Sequence, residues 1–409
     1  MKILLANWIY NWGSTGVIIR DLKTMYEAKG HEVIVAAAET HGSDKGVFLF
    51  GKPFEWQIMS RLARFGWPRF KGSTRASKQL LQLIRREKPD VVHIHLLHGA
   101  KLDLYYLLKH LGQEGVKTVV TNHAELYYTG CCEHAYYCTQ WIDNECRNCP
   151  NKLYATYAYV FANAHMHWKL MKQAFSYFKS ENLMFTAVSP WVCERFYKSP
   201  IIKGFDCSVV LNGTDVSTYY RKPYKKEFFN RIGEGITSYV LHVTASFIPG
   251  SKGDVKGGYY LVELAQQMPD VTFVVVCTAS KVDVTLPANI IIWGKARDKD
   301  ELTDLYSNAQ LTIIVSRRET FSMVTAESLC CGTPVVGFKA GGPDSIAIEE
   351  ASCFVEQGDV NALKQAIREM NGKTIDRTEI SNKAREKYSA QTMADGYLAV
   401  YEQLLNKHI

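Results

Sequence analysis

Short runs of hydrophobic residues alternate with longer amphipathic stretches along nearly the whole chain. The runs are rich in Val and Ile at successive positions, which predicts strands that are buried on both faces. The stretches repeat their apolar positions with helical spacing, which predicts helices packed on those strands. This alternation favours an α/β protein with parallel sheets covered by helices. The predicted strands are Ile3–Ala6, Val33–Ala37, Val91–His95, Thr118–Thr121, Phe185–Val188, Val209–Leu211, Tyr239–Val243, Thr272–Cys277, Ile290–Ile292, Leu311–Val315, Pro334–Phe338 and Cys353–Val355.

The predicted strands fall into two groups, so we expect two doubly wound, Rossmann-like domains. A chain of 409 residues also exceeds what one hydrophobic core usually serves. We expect an N-terminal domain over residues 1–205, a C-terminal domain over residues 206–388, and a final helix in residues 389–409 that crosses back to the N-terminal domain. The polar stretch from Tyr219 to Glu234 is the predicted linker. In such sheets, ligands bind beyond the carboxyl ends of the strands.

The composition is 47% hydrophobic and 22% charged, as in an ordinary globular protein, which excludes disordered and fibrous classes. No apolar run approaches the roughly 18–20 residues that span a bilayer. The chain begins with a predicted strand and lacks a basic and then apolar leader. We therefore expect a cytoplasmic protein.

The net charge of +7 is concentrated in one segment, residues 56–88, which holds nine Lys and Arg residues against one acid, Glu87. Aromatic residues are interleaved with these cations. Basic and aromatic side chains together are typical of a surface that an anionic membrane attracts. The segment predicts a peripheral association with the inner face of the membrane, and a solvated helix pair with a basic face is the alternative.

A second aromatic-rich stretch runs from Leu153 to Phe178 and has a helical pattern. We expect it to pack in the core and at the domain interface. A groove for a lipid-linked acceptor is the alternative interpretation.

The segment from Ser316 to Asp344 has the organisation of a phosphate site. A strand ends, a loop carries Glu319, and a helix begins near Ser322. Either Thr320 or Ser322 is expected to cap that helix. Free backbone N–H groups and partial positive charge at a helix N-terminus favour an anion, so we expect a diphosphate at Thr320, Phe321 and Ser322.

Two carboxylates accompany this predicted phosphate site. Glu319 lies in the loop before the helix, and Glu327 lies one to two turns into it. A carboxylate accepts hydrogen bonds from two neighbouring hydroxyls, which orients a sugar ring. Glu327 is placed to reach a ribose, and Glu319 a sugar beyond the phosphates. The alternative is two surface acids on an ordinary helix.

This segment resembles the signature of glycosyltransferase family 4. That signature places two Glu residues eight positions apart at a strand–helix junction, followed by a Gly-Thr-Pro-Val-Val stretch, and Glu319, Glu327 and Gly332–Val336 match it. The resemblance implies the GT-B architecture, with two doubly wound Rossmann-like domains facing a central cleft, and transfer with retained anomeric configuration. It also implies that Glu319 contacts the donor sugar and Glu327 the nucleotide ribose.

A second match to the family is Lys256-Gly257, which follows a predicted strand and its loop. A lysine at this position would neutralise the leaving diphosphate as a point charge. Family members often carry an Arg shortly before this Lys, where the present chain has Thr244–Ser246. Lys252 is the cation expected to take its place, so Lys252 and Gly257 join the predicted donor-binding residues. The alternative for Lys256 is a solvated lysine at a helix start.

The N-terminal half carries a loop that resembles the family's glycine-rich loop. Gly13 and Gly16 follow the first predicted strand and precede a predicted helix from Val17 to Lys29. Residues without a side chain let the backbone approach donor phosphates or the sugar at a helix N-terminus. A purely structural turn is the alternative.

Two predicted strands of this half end in histidines: His93, His95 and His98 follow one another at the first, and His123 ends the second. Such side chains suit the binding of donor or acceptor hydroxyls. Alternation places His93 and His95 on one face of the strand, so burial within the sheet is the alternative for His93. Resemblance to bacterial polysaccharide-type members implies that His123 lies near the transferred sugar, with His95 and His98 on the acceptor side.

Five of the eleven cysteines lie between residues 131 and 149. Cys146 and Cys149 have the two-residue gap of a zinc knuckle, and Cys132 and Cys138 would complete four thiolate ligands. A structural zinc ion is our first interpretation, and disulfides or free thiols are the alternatives. The same bacterial subgroup carries a similar cysteine-rich run.

The prediction that follows is a retaining, metal-independent glycosyltransferase of the hexosyltransferase type. It would use His123, Lys256 and Glu319 to move a sugar from a UDP or GDP sugar to a glycan or lipid-linked acceptor in cell-surface polysaccharide synthesis. The expected partners are this donor, this acceptor and an anionic membrane surface, without nucleic acid and without a catalytic cofactor. A nucleotide-sugar 2-epimerase of the same fold and a non-catalytic module that senses metal or redox state are the alternatives.

Overall fold

The chain folds into two units, and each is built on one parallel sheet. The first unit is Met1–Leu211 with Met393–Ile409, and the second is Asn212–Thr392. The sequence-based divisions were at 205/206 and 388/389. The structure, a computed structural model, describes residues 1–41, 46–135, 137–251, 253–282 and 284–407.

The first sheet has seven strands in the order β3-β2-β1-β4-β5-β6-β7. Every pairing is parallel. The order of strands reverses between β1 and β4, and doubly wound sheets bind ligands at the carboxyl ends of the strands that flank such a point. The strands are β1 (Lys2–Tyr10), β2 (Glu32–Thr40), β3 (Val47–Leu49), β4 (Val91–Ile94), β5 (Thr118–Asn122), β6 (Leu183–Ala187) and β7 (Cys207–Val209).

Helices connect the strands of the first sheet and cover its apolar side chains, as parallel strands require. They are α1 (Gly13–Ala28), α2 (Pro53–Phe65), α3 (Thr74–Glu87), α4 (Leu104–Gln113), α5 (Leu126–Thr129), α6 (Gln140–Asp143), α7 (Lys152–Thr156), α8 (Ala164–Phe175) and α9 (Pro190–Tyr197). A short 3-10 helix, Gly99–Lys101, follows β4.

The second sheet has six parallel strands in the order β10-β9-β8-β11-β12-β13, and its order reverses between β8 and β11. The strands are β8 (Val240–Phe247), β9 (Phe273–Ser280), β10 (Ile290–Gly294), β11 (Leu311–Ile314), β12 (Val335–Phe338) and β13 (Ser352–Val355). The helices are α10 (Lys226–Phe229), α11 (Gly258–Gln267), α12 (Lys299–Asn308), α13 (Met323–Cys330), α14 (Gly342–Ile346), α15 (Val360–Gly372) and α16 (Arg377–Lys387), with a 3-10 helix at Glu349–Ala351.

The final helix, α17 (Ala390–Leu405), contributes to the core of the first unit. Its buried residues recur at helical spacing, and they are Met393, Ala394, Tyr397, Val400, Tyr401 and Leu404. This apolar stripe packs with core residues of β1 such as Ile3 and Leu5. Burial of an amphipathic stripe supplies most of the stability of such a helix.

The α/β fold with two doubly wound parallel sheets is confirmed, and three details differ from the sequence analysis. Strand β3 was not predicted. The stretch expected as a linker lies inside the second unit, where Tyr219 and Lys222 are both 5% exposed. The aromatic stretch expected as one helix is broken, because α7 ends at Thr156 and α8 starts at Ala164. Among the helices of the described residues, none is long and apolar enough to cross a bilayer.

Candidate functional site

The loop between β11 and α13 is held by Ser322, one of the two predicted caps. Ser322 adopts φ 82°, a left-handed conformation that is unusual for a residue with a side chain. Its Oγ accepts hydrogen bonds from the Thr325 N–H at 3.3 Å and the Thr325 hydroxyl at 3.0 Å. The N-terminus of α13 is therefore fixed at the reversal point of the second sheet. Strain that surrounding contacts maintain in this way is characteristic of functional loops.

The same loop is paired with the loop that follows β12. The Glu319 N–H donates to the Ala340 carbonyl at 3.1 Å, and the Gly342 N–H donates to the Glu319 carbonyl at 2.9 Å. These bonds form an isolated parallel bridge between Glu319 and Gly341. A Cβ at Gly342 would lie 2.5 Å from the Phe321 nitrogen, so only glycine permits this approach. The backbone of Glu319 is consequently held on both sides.

Asp344 completes this pairing from the start of α14. Its carboxylate accepts hydrogen bonds from the Gly341 N–H at 2.7 Å and the Ala340 N–H at 2.9 Å. Burial raises the pKa of Asp344, and the backbone N–H groups partly oppose that shift. Asp344 thus supports the loop from behind and has a structural role there.

Lys256 and Glu319 meet directly. The Lys256 ammonium donates to Glu319 Oε1, and the two side chains are 37% and 19% exposed. Gly257 has φ 75°, and a Cβ there would lie 2.0 Å from the Val315 carbonyl oxygen. The Arg317 N–H also donates to the Val255 carbonyl at 2.9 Å. Close backbone packing therefore brings the loop before α11 against the end of β11 and aligns the two charged groups.

Lys252, expected among the donor-binding residues, lies outside the described residues. The position where an Arg was sought, Thr244–Ser246, lies within β8, which continues to Phe247. Thr244 is almost fully buried and donates to the Ser246 carbonyl at 2.9 Å. These residues are therefore part of the strand and not of the loop between β8 and α11.

Glu327 is partly buried on α13, beside two tyrosines that the sequence analysis did not single out. The Tyr306 hydroxyl donates to Glu327 Oε2 at 3.0 Å. Burial raises the pKa of Glu327 to about 7, against the opposing effect of hydrogen bonds from Tyr306 and Tyr219. The position of Tyr306, five residues before the start of β11, gave no signal in the sequence, because the contact depends on how α12 and α13 pack.

His242 is a further buried group near the charged pair that sequence reasoning missed. It lies on β8, and its Nδ1 donates to the Ile313 carbonyl at 3.3 Å. Burial lowers the pKa of His242 to about 4, and the nearby charge of Lys256 acts in the same direction. Its Nε2 is buried without a hydrogen-bond partner in the described part of the chain. The sequence did offer a signal for this residue, because His242 lies in the predicted strand that precedes Lys256-Gly257.

In the first unit, Gly13 and Gly16 lie in the first turn of α1, which begins four residues earlier than predicted. A Cβ at Gly13 would lie 2.9 Å from Ile9 Cδ1, and one at Gly16 would lie 3.2 Å from Ile9 Cγ1. Both glycines therefore allow α1 to start close against the end of β1. They are part of the helix N-terminus and do not form a loop ahead of it.

His93 lies inside a buried chain of hydroxyl and imidazole groups. The Tyr26 hydroxyl is positioned to donate to the Tyr401 oxygen at 3.4 Å, and the Tyr401 oxygen lies 2.5 Å from His93 Nδ1. His93 Nε2 lies 2.6 Å from Thr121 Oγ1. If Tyr401 donates to Nδ1, the proton of the neutral ring is on Nε2 and is donated to Thr121. Burial lowers the pKa of His93 well below its usual value, so the ring stays neutral.

His95 faces His123 and not solvent. Its side chain is fully buried, and its Nδ1 lies 3.0 Å from His123 Nε2, so one ring donates to the other. Burial lowers the pKa of His95 well below its usual value and that of His123 to about 3. The direct acceptor contact expected of His95 is not available to a fully buried ring. His95 instead orients His123, which is partly exposed.

His98 packs against the ring of Trp8 near the end of β1. The Trp8 ring contacts it edge-on with centroids 4.9 Å apart, and Trp12 contacts Trp8 at 5.7 Å. Burial lowers the pKa of His98 to about 4, although Glu133 lies 3.7 Å from Nδ1 and opposes that shift. Trp8 and Trp12 were not predicted as site residues. The signal that sequence reasoning missed is this pair of tryptophans, four residues apart at the end of β1.

Two tryptophan side chains hold the cysteine-rich loop by donating hydrogen bonds to its backbone carbonyls. Trp141 Nε1 donates to the Cys138 carbonyl at 2.6 Å, and Trp168 Nε1 donates to the Trp141 carbonyl at 2.9 Å. All eleven cysteines are free thiols. Burial, with the neighbouring groups of this loop, raises the pKa of Cys132 to about 12 and also raises the pKa of Cys146.

These thiols are not arranged as a metal site in the structure. No group of three or more His, Cys, Asp or Glu side chains within the described residues could hold a metal ion. The zinc site expected from Cys132, Cys138, Cys146 and Cys149 is thus not formed in this geometry, because the loop is organised around Trp141 and Trp168. A metal here stays a prediction from the cysteine spacing.

Two family models match the chain. The model described as Glycosyltransferase Family 4 matches residues 15–218, and the model described as Glycosyl transferases group 1 matches residues 252–371. The chain is also similar to WcaC of Escherichia coli (strain K12), named as a glycosyl transferase of colanic acid biosynthesis. The two are 22% identical over 331 residues, which cover 79% of this chain and 78% of WcaC.

Solved structures with the same fold cover nearly the whole chain. Anabaena HepE in complex with UDP has a TM-score of 0.65 at 14% identity, over 98% of this chain and 100% of HepE. Sucrose-phosphate synthase from Thermosynechococcus elongatus has a TM-score of 0.65 at 16% identity, over 98% of each chain. At these identities the likeness concerns the fold, in which both sheets have their counterparts.

The buried chain through His93 predicts a stability defect for Tyr401→Phe. Removal of the hydroxyl leaves His93 Nδ1 without its buried partner, which is expected to lower the free energy of unfolding by about 1–3 kcal/mol. Chemical unfolding measures the change. Tyr26→Phe is the matched control, because it removes only the longer bond at the end of the chain and should cost less. A Tyr401→Phe protein as stable as the wild type would contradict this assignment.

The raised pKa of Glu327 predicts a pH-dependent stability. The folded state keeps the Glu327 proton up to a pKa of about 7, whereas an ordinary glutamate has 4.5. This contribution to stability is therefore complete below the ordinary pKa and is lost as the pH rises towards 7. Between pH 4 and pH 8, wild type should lose on the order of 1–3 kcal/mol relative to Glu327→Gln. Parallel pH profiles of unfolding for the two proteins would show that burial does not shift this group.

Proposed function

We propose that this chain, a glycosyltransferase of the GT-B type, transfers a sugar from a nucleoside diphosphate sugar to a glycan or lipid-linked acceptor with retention of configuration. The observation that carries the proposal is the direct pairing of Lys256 with Glu319 beside the capped N-terminus of α13. A cation, a carboxylate and free backbone N–H groups at one point of a sheet suit a sugar joined to a diphosphate.

The donor site that we propose lies in the second unit. The N-terminus of α13 at Phe321 and Ser322 binds the diphosphate, and Lys256 neutralises its charge. Glu327, further along the same helix, accepts hydrogen bonds from ribose hydroxyls, which its ionised form does best. HepE, whose fold this chain shares, has been solved with UDP and with UDP-glucose. These complexes support a uridine nucleotide as the first donor to test, ahead of a guanosine nucleotide.

Glu319 holds the transferred sugar in this proposal. Its side chain is mostly buried and its backbone is bonded on both sides, so its carboxylate is preorganised for sugar hydroxyls. In the structure, the Lys256 ammonium donates a hydrogen bond to one of the two carboxylate oxygens of Glu319. Binding of the diphosphate gives Lys256 a second anionic partner, and the hydroxyls of the sugar then replace part of its contact with Glu319.

The chemical step rests on electrostatic stabilisation of the leaving group. As the bond between the anomeric carbon and the phosphate oxygen breaks, negative charge grows on the diphosphate, where Lys256 and the α13 N–H groups stabilise it. The leaving phosphate oxygen accepts the proton of the acceptor hydroxyl, which attacks from the same face. His123, held neutral by burial and oriented by His95, is proposed to contact the transferred sugar as a hydrogen-bonding group. Catalysis is proposed to proceed without a metal.

The acceptor is proposed to be a glycan or lipid-linked glycan of cell-surface polysaccharide synthesis, handled at the cytoplasmic face of a membrane. The support is the similarity to WcaC, whose name places it in colanic acid biosynthesis. Trp8, Trp12 and His98 offer rings at the end of β1 on which a sugar face could stack.

The proposal predicts that Lys256→Ala and Glu319→Gln each lower kcat/KM for sugar transfer by about 100- to 1000-fold, because each removes a preorganised contact to the donor. The assay measures transfer from UDP-sugars to an oligosaccharide panel, after a screen of nucleotide sugars by thermal stabilisation. Both variants should unfold at temperatures close to that of the wild type.

Lys339→Ala is the matched control, because Lys339 also pairs with a carboxylate of the second unit, Glu356, but both side chains are more than half exposed. Its kcat/KM should stay within about twofold of wild type, as expected for a surface pair. Near-wild-type transfer by Lys256→Ala and Glu319→Gln would overturn the site. Conversion of the donor sugar to its epimer without any acceptor would overturn the proposed reaction.

A further inference from the structure

Helix α2 exposes an apolar stripe to solvent. Phe54, Ile58, Leu62 and Phe65 are 55%, 51%, 43% and 65% exposed. Their spacing of four, four and three residues places them on one face of the helix. The opposite face packs inward through Trp56, which is 8% exposed. A helix that is apolar on both its buried and its exposed face needs a second apolar environment.

A second exposed segment adjoins this stripe. Tyr159, Val160 and Phe161 are 73%, 55% and 73% exposed in the non-helical stretch between α7 and α8. The Tyr159 N–H donates to the Arg64 carbonyl at 2.7 Å, which ties this stretch to the end of α2. At Gly66, a Cβ would lie only 2.6 Å from Phe161 Cβ. The two segments are therefore neighbours and form one surface.

Exposed hydrophobic residues are concentrated at this place. Of the nineteen large hydrophobic side chains exposed in the described residues, six lie in residues 49–67 and six in residues 153–161. Aromatic residues dominate the second group. Scattered exposed hydrophobic residues are ordinary, whereas a contiguous set marks an interaction surface.

The charge around this surface is positive. Arg61 and Arg64 are exposed on α2, and Arg61 lies at the border of the apolar stripe. Glu55, the one acid of α2, is already engaged, because Ser73 donates to it at 2.7 Å and Arg75 lies 3.5 Å away. The partner of this surface is therefore anionic as well as apolar.

The basic residues of α3 contribute to this region of the surface in a different way from those of α2. Leu80, Leu81 and Ile84 are buried, so α3 packs into the protein. At its end, Arg85 pairs with Glu114 at 2.6 Å. The basic segment expected from the sequence to meet a membrane thus divides into α2, which offers apolar contact, and α3, which adds positive charge at the surface.

We propose that the α2 face, defined as Phe54, Ile58, Leu62, Phe65 and Tyr159–Phe161 with Arg61 and Arg64, docks on an anionic lipid bilayer. The apolar side chains enter the boundary between headgroups and acyl chains, and the arginines contact lipid phosphates. A second copy of the chain is disfavoured as the occupant, because a twofold interface would bring the same positive charges together. Docking goes beyond sugar transfer and does not depend on the proposed reaction.

The test is flotation of the full chain with vesicles of phosphatidylcholine, with and without phosphatidylglycerol, over a range of salt concentrations. Wild type should bind vesicles that contain phosphatidylglycerol and dissociate as salt rises. The double variant Ile58→Ser/Leu62→Ser should lower the partition coefficient by at least about tenfold, and Phe161→Ser should also lower it. Arg61→Gln/Arg64→Gln should lower it by about tenfold or more at low salt.

Tyr224→Ser is the matched control, because Tyr224 is 58% exposed in the second unit, away from the α2 face in sequence and unit. It should bind vesicles like the wild type. Thermal unfolding verifies that each variant is folded, and transfer to a soluble acceptor by the α2 variants should be unchanged. A wild-type protein that binds vesicles but transfers no sugar would count against the proposed function and not against docking.

Three results would overturn the docking proposal. One is the absence of binding to vesicles that contain phosphatidylglycerol, and another is wild-type binding by the Ile58→Ser/Leu62→Ser variant. The third is a concentration-dependent dimer in sedimentation analysis that this variant abolishes, which would assign the α2 face to a second copy of the chain.

Discussion

The backbone bridge between Glu319 and Gly341 is the constraint on which the candidate donor site depends. It joins the loops after two neighbouring strands, β11 and β12, at the reversal point of the second sheet. The approach is so close that position 342 has room for hydrogen alone, and Asp344 occupies the backbone N–H groups behind it. Because the main chain of Glu319 is hydrogen-bonded on both sides, its carboxylate has a defined place. Preorganisation of this kind lets an enzyme stabilise charge without reorganising during the reaction.

The Lys256–Glu319 pair of the second unit and the histidine cluster of the first unit differ in the charge that they keep. In the second unit a full ion pair, Lys256 with Glu319, stays partly exposed, so its charges are retained and available to a charged ligand. In the first unit burial removes the charge from His93, His95 and His123, which become neutral hydrogen-bonding groups. Neutral imidazoles can orient hydroxyls without competing for the diphosphate. Such a division fits a reaction in which negative charge develops on one partner only.

The surface of the first unit adds a different kind of specificity. The α2 face combines apolar exposure with positive charge, and both come from side chains that are exposed to solvent. The cysteine-rich loop has its own support, because Trp141 and Trp168 satisfy backbone carbonyls inside it.

The sequence by itself determined the fold class and brought together the main residues of the candidate site. Twelve of the thirteen strands overlap a predicted apolar run, because a strand buried on both faces is apolar at successive positions, although β7 shares only Val209 with its predicted run. The exception, β3, lies in the short apolar run Val47–Phe50, which was not predicted as a strand, and its Leu49 is exposed at the edge of the sheet. The helix start at Ser322 and the positions of Glu319 and Glu327 could also be predicted, since cap, loop and carboxylates are contiguous in the chain.

Tertiary structure alone decided the features that depend on distant residues. Packing between separate elements causes the burial of His95 and the raised pKa of Glu327 beside Tyr306. It also leaves Nε2 of His242 without a hydrogen-bond partner among the described residues. Periodicity describes one element at a time and carries no information about its neighbours. For the same reason the sequence could mark residues 56–88 as basic, but only packing showed that α2 keeps its apolar stripe in solvent while α3 buries its own.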